Sequence, residues 1–159
     1  MRNVAYFFCL ILPIGLYGQA GGTIAFEGTN ALRIANTYQV NQNIFLLQAQ
    51  LTERGYQVAV DRKNNILITR DSLIEGGGIS YVISARIQPN EIILTGQYQT
   101  AVVTSVLSNR QEIYTYDITH EGRPNSLSKR MFRVLEELAR NLEGTLYFIK
   151  EKKKRTTLF

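Results

Sequence analysis

The sequence predicts an α+β fold: an antiparallel sheet of about five or six strands with two helices packed on one face. Three observations predict it. Two stretches, 37–54 and 126–143, carry apolar residues at the three- and four-residue spacings of a single helix face. Between them lie about five β-branched or aromatic segments separated by turn residues. The middle of the chain contains no strand–helix–strand alternation, so a doubly wound parallel sheet is not expected.

The elements follow in order. Residues 23–27 (Thr-Ile-Ala-Phe-Glu) suit a short first strand broken by Gly28 and Asn30. The first helix has Val40, Ile44, Leu47 and Leu51 on one face, Asn36 or Thr37 as its cap, and Gly55 as a left-handed terminator. Tyr56–Val60 and Ile66–Thr69 form a hairpin across Asp61-Arg-Lys-Asn-Asn65, whose Asp and Asn bond their own backbone in turns. Gly76-Gly77-Gly78 marks a loop. Strands at 79–87 and 91–98 flank Gln88-Pro89-Asn90-Glu91, with Gly96 as a bulge position, and 99–106 either extends the second strand or leaves the sheet. Residues 112–119 return, with Tyr114, Tyr116 and Ile118 on one face. The second helix starts at Asn125 or Ser126. Its stripe is Leu127, Met131, Val134, Leu135, Leu138 and Leu142, and Gly144 ends it. Residues 145–149 suit a last short strand.

The 159 residues suit one domain, placed at 21–149. Met1-Arg2-Asn3, the apolar run Val4–Leu16, and small residues at Gly18 and Ala20 read as a signal peptide, residues 1–20, cleaved after Ala20. A spanning helix needs about 20 apolar residues, and this run is short and holds Pro13. A lipoprotein signal would need small residues before Cys9, where Phe7 and Phe8 stand. The chain is therefore expected to be exported, periplasmic or extracellular, with a mature form free of cysteine. That form can carry neither a disulfide nor a thiolate metal site.

The net charge of +5 first suggests a nucleic-acid partner. The charge is not spread over the domain. Residues 21–149 hold 12 basic and 12 acidic side chains, while Lys150, Lys152, Lys153, Lys154 and Arg155 oppose only Glu151. The basic character belongs to a tail, residues 150–159, that could meet an acidic surface. Nucleic acid is not expected as a partner.

Few motifs carry chemistry. Ser126-Leu-Ser-Lys129 matches the Ser-x-x-Lys of penicillin-recognising enzymes, but its companion motifs are absent, and a helix cap followed by an exposed lysine accounts for it. His120, with Asp117 and Glu121 nearby, is a sparse metal set at a strand end, and a surface histidine is the simpler reading. No Gly-x-Ser-x-Gly elbow supports a Ser-His-Asp triad. The glycine run at 76–78 is followed by a strand, not by the helix that a phosphate loop needs. Neither cofactor nor metal is expected. Tyr81, Tyr98, Tyr114 and Tyr116 fall on strands, and on an open sheet face they would form an aromatic platform for sugars or a partner strand. Amphipathic lining of a half-buried sheet is the alternative.

The strand–helix–four-strand–helix order resembles small secreted bacterial domains of unknown function with a TATA-box-binding-protein-like, or helix-grip, architecture. The residues that carry the resemblance are Tyr56–Thr69, Tyr81–Tyr98 and Ser126–Glu143, and it spans residues 23–149. It implies a fold and an envelope or secreted setting, with no activity attached. Three functional readings follow. One is a non-enzymatic binding or accessory module that meets another envelope protein, or an acidic surface, through its uncovered sheet face, an edge strand or its tail. The second is a helix-grip carrier of a small apolar molecule, and the third is a small hydrolase. A carrier needs small residues along the inner stripe, whereas a filled core places Leu47, Leu51, Leu135 and Leu138 against Ile and Val.

Overall fold

A computed structural model describes residues 21–70, 72–73, 79–105 and 110–151. The described chain runs β1 (Gly21–Gly22), β2 (Ala31–Ala35), α1 (Val40–Glu53), β3 (Val58–Asp61), β4 (Ile66–Thr69), β5 (Ser72–Leu73), β6 (Ile79–Gln88), β7 (Glu91–Ser105), β8 (Arg110–Asp117), α2 (Leu127–Arg140) and β9 (Thr145–Ile149). All strand pairs are antiparallel, in the order β1-β9-β2-β7-β6-β4-β3, with β5 against β6 and β8 against β7.

The register shows which face holds the core. Leu32 stands opposite both Leu94 and Phe148, Leu94 opposite Ala85, and Ala85 opposite Leu67. Cross-strand partners share a face, so these residues, with Ile34, Ile87, Ile92 and Ile83, form one surface. They belong to a single buried cluster with Ile44, Leu47 and Leu51 of α1 and with Met131, Phe132, Leu135, Leu138 and Ala139 of α2. Both helices therefore cover the same face, and the architecture is the expected α+β sheet with two helices. Leu47, Leu51, Leu135 and Leu138 are at most 1% exposed. At those positions the layer between sheet and helices is a filled core.

The first strand is not where residue preference puts it. Residues 23–27 form no strand, and β2 is Ala31-Leu-Arg-Ile-Ala35. The buried Thr29 folds the preceding segment back, because its hydroxyl donates to the Phe26 carbonyl at 2.7 Å and accepts from the Phe26 N–H at 3.2 Å. β2 then lies between β9 and β7 and is buried on both faces at Ala31 and Leu32. Residues 99–105 continue β7, and 145–149 join the sheet as β9.

Helix boundaries follow local chemistry with two changes. Gln39, not Asn36 or Thr37, caps α1, and the Gln42 side chain accepts from the Gln39 N–H at 3.0 Å. Asn36 is engaged elsewhere: its amide donates to Asn43 Oδ1 at 2.7 Å, and Asn43 is fully buried. Gly55 ends α1 with φ +84°. Ser126 caps α2, accepting from the Lys129 N–H at 3.4 Å. The α2 stripe centres on Phe132, which the leucine spacing passes over, while Leu127 and Val134 are only half-buried.

Gly96 is no bulge. It pairs regularly with Ile83, between neighbours that pair regularly too. Glycine stands there because Ile118 and Leu135 converge on it: a Cβ would meet Ile118 Cδ1 at 2.6 Å and Leu135 Cδ1 at 3.3 Å.

Candidate functional site

β7 holds two partners in succession along one of its sides. Glu91–Leu94 pair with β2, and Gln97–Ser105 pair with β8, so β8 continues the line of β2. β6 pairs with Glu91–Thr100 along the opposite side of β7. The outer halves of β6 and β7, with β8 beside β7 and the two-residue β5 beside Ser80 and Tyr81 of β6, make an arm.

Along the helix-side face of β6 and β7 the composition changes at Gly96. Before it stand Ile92 and Leu94 with Ile87 and Ala85 opposite. After it Tyr81 faces Tyr98, and Tyr98 faces Tyr116. The three make one straight row. Tyr56, at the end of α1, extends it: its ring meets Tyr81 edge-on at 6.1 Å, and the two hydroxyls lie 2.7 Å apart. Tyr98 and Tyr116 stack at 5.3 Å with 22° between planes, an arrangement worth about 0.5–1.5 kcal/mol beyond area burial. Tyr114, opposite Thr100, adds a second rank on the same face, and its hydroxyl donates to Glu112 at 2.6 Å. Exposure rises outward: Tyr56, Tyr81 and Tyr98 are half-buried, whereas Tyr114 and Tyr116 are 42% and 45% exposed.

The four strand tyrosines thus share a face, but it is the helix-side face and not the uncovered one. The signal was in the sequence. Ile118 has the parity of Tyr114 and Tyr116, and Ile118 is 1% exposed against α2. The uncovered face carries Tyr147 under the Arg33 guanidinium at 4.8 Å, Arg33 with Glu91 at 3.7 Å, and Arg86 with Glu151 at 2.7 Å. Its exposed ion pairs add little stability.

Burial, and then the Tyr56 hydroxyl, push the Tyr81 phenol well above the ordinary tyrosine value of about 10. Burial also raises Tyr98, and the bond to Glu112 raises Tyr114. In the unfolded chain these phenols lose their protons first. Above the ordinary value the unfolded state therefore binds fewer protons, and stability falls as pH rises. Tyr81→Phe is expected to flatten that alkaline loss, read from urea midpoints on either side of pH about 10. An unchanged slope would show that Tyr81 is not shielded as described.

The remaining candidates have structural duties. The Ser126 hydroxyl donates to the Glu121 carbonyl at 3.1 Å and caps α2. Lys129 is not an exposed lysine. Its side chain is 17% exposed and sits 3.5 Å from Glu27. The Gly122 N–H and Lys129 hold the Glu27 carboxyl below the usual carboxylate range. His120 is half-buried with its ring 5.3 Å from Phe132, and its main chain bonds Gly28 and Thr29. Asp117 lies on the uncovered face and accepts from Gln97 at 3.2 Å. Among the described residues no cluster of three or more His, Cys, Asp or Glu is placed to hold a metal, and no helix is long and apolar enough to cross a membrane. Gly18, Ala20, Gly76–Gly78, Lys152, Lys153, Lys154 and Arg155 lie outside the described residues.

No protein-family model matches the chain, and no curated protein matches it. Among solved structures it is similar to a TBP-like protein from Parabacteroides distasonis ATCC 8503, with 14% identity over 77% of this chain and 100% of that one, and a TM-score of 0.37. The fold described above stands on its own strand pairing and core.

Proposed function

We propose that this protein is an exported, non-enzymatic binding or accessory module of the cell envelope, and that it recognises another envelope protein through the tyrosine row of the arm. The observation that carries this reading is the half-exposed rank of Tyr81, Tyr98, Tyr116 and Tyr114 on the arm. Tyrosine gives large, rigid contact area with a polar tip at low entropic cost, which is why it recurs at recognition surfaces. Export rests on the charged start, the apolar run and the small residues Gly18 and Ala20. The basic tail, with Lys152, Lys153, Lys154 and Arg155, is a secondary contact for an acidic surface in this reading.

Capture from envelope extracts tests it, with the chain itself excluded from the score. Tyr114→Ala with Tyr116→Ala is expected to weaken a captured partner by roughly tenfold or more, since tyrosine is enriched among the interface residues whose truncation costs over about 1 kcal/mol. Truncation after Glu151 is expected to leave that partner bound. A partner set indifferent to the two tyrosines, or lost with the tail alone, would overturn the assignment of the surface.

A further inference from the structure

We infer that β8 is a pairing edge for a second copy of this chain, joined antiparallel about a two-fold axis at Ile113. The inference is independent of the proposed function, because it concerns the edge of the arm and not its tyrosine face.

The phase of the free edge follows from one bond. The Ile118 N–H donates to the Gly96 carbonyl at 2.8 Å, and the register places Ile118 opposite Gly96. In an antiparallel pair such bonds alternate along the strand. Residues 112, 114 and 116 therefore direct their main-chain groups to β7, while 113, 115 and 117 direct theirs away from it. Among the described residues no strand pairs with that outer side of β8.

An open edge is a template for pairing, and proteins commonly guard it with Lys, Pro, bulges or short length. The far edge of the sheet is guarded in this way: β3 has four residues and runs into Asp61-Arg62-Lys63. β8 has eight residues with no Lys, Pro or Gly; it carries Arg110, Glu112 and Asp117, and a bulge between Val103 and Ser105 shifts the pairing at Arg110, but its register with β7 is unbroken from Asp117 to Gln111. Its odd face also shows Ile113, a large apolar side chain that is 69% exposed.

The strand is complementary to itself. A two-fold axis normal to the sheet keeps the faces aligned, so it must pass through a residue and not between two. Placed at Ile113, it sets Ile113 opposite Ile113 of the second copy, where both gain burial. Gln111 then stands opposite Thr115, Glu112 opposite Tyr114, and Arg110 opposite Tyr116. No like charges stand directly opposite in this register. The outward main-chain groups of 111, 113 and 115 find partners in this register, and both tyrosine faces lie on the same side of the joined sheet.

Sedimentation equilibrium of the purified protein over a roughly hundredfold concentration range reads the outcome. The wild type is expected to pass from monomer to dimer. Thr115→Pro removes an outward N–H without touching the β7 ladder, so it is expected to stay monomeric with an unchanged circular dichroism spectrum, while Thr115→Val dimerises as the wild type does. Ile113→Lys, which places two cations opposite each other, is expected to weaken the dimer at least about tenfold and to recover with salt. It keeps the test decisive if the proline variant does not fold. A wild type that remains monomeric, an open-ended oligomer, or a dimer indifferent to the edge variants that fold would each overturn the inference.

Discussion

Gly144→Ala is expected to lower the unfolding free energy by about 3 kcal/mol or more. Gly144 joins α2 to β9 with φ +140°, a conformation that L side chains rarely adopt. A Cβ there would lie 2.4 Å from the Ala35 carbonyl oxygen and 3.1 Å from its carbon. Both are main-chain atoms of a central strand, so no rotamer change relieves the contact. Ala35 is held by Thr145 on one side and Glu91 on the other. Relief must move β9 away from β2, which opens the pairs Ile34–Leu146 and Leu32–Phe148 and uncovers Phe148, now 1% exposed. Denaturant midpoints measure the cost. A variant within about 1 kcal/mol of wild type would mean that the loop yields without disturbing β9.

Phe132→Ala should cost about 3–5 kcal/mol, the usual loss for an aromatic ring removed from a closed core. The ring is fully buried and lies 5.3 Å from His120 and 6.3 Å from Phe148, so it ties α2 to β9 and to the loop after β8. A domain of this size has only about 5–15 kcal/mol in hand, so the variant is expected to approach global unfolding. Phe132→Leu refills most of the space and should cost clearly less. Phe45→Ala is the control: Phe45 is 71% exposed on α1, and its loss should stay within about 0.5 kcal/mol. Equal losses at Phe132 and Phe45 would contradict the placement of the core.

Much of this was legible in the residues. The Ile44-Leu47-Leu51 spacing and Gly55 located α1, Ser126 located the start of α2, and Asp61 with Asn65 located the hairpin turn. In each case the cause is local: a side chain bonds backbone two or three residues away, or a spacing repeats within a few turns. The Asp61 carboxylate, for instance, accepts from Lys63 and Asn64 at 3.0 and 3.2 Å. Buried polar Asn43 left no such signal. Its amide reaches the Tyr38 and Gln88 carbonyls, and Gln88 lies far away in the chain.

The tyrosine row was half legible. Alternation placed Tyr114 and Tyr116 together, but an amphipathic ring suits either face of a sheet, and the sequence pattern does not say where α2 stops covering it. That boundary is steric, set where Ile118 and Leu135 meet over Gly96.

By itself the sequence determined the fold class, the two helices, the central hairpins and the concentration of net positive charge after position 149, because these depend on periodicity, turn chemistry and charge counting. Only the tertiary structure decided which segment became the central strand β2. Ala31-Leu-Arg-Ile-Ala35 has two alanines and an arginine and weak strand preference of its own. It is a strand because β9 and β7, distant in the chain, supply its hydrogen bonds on both sides, and its neighbours bury it on both faces.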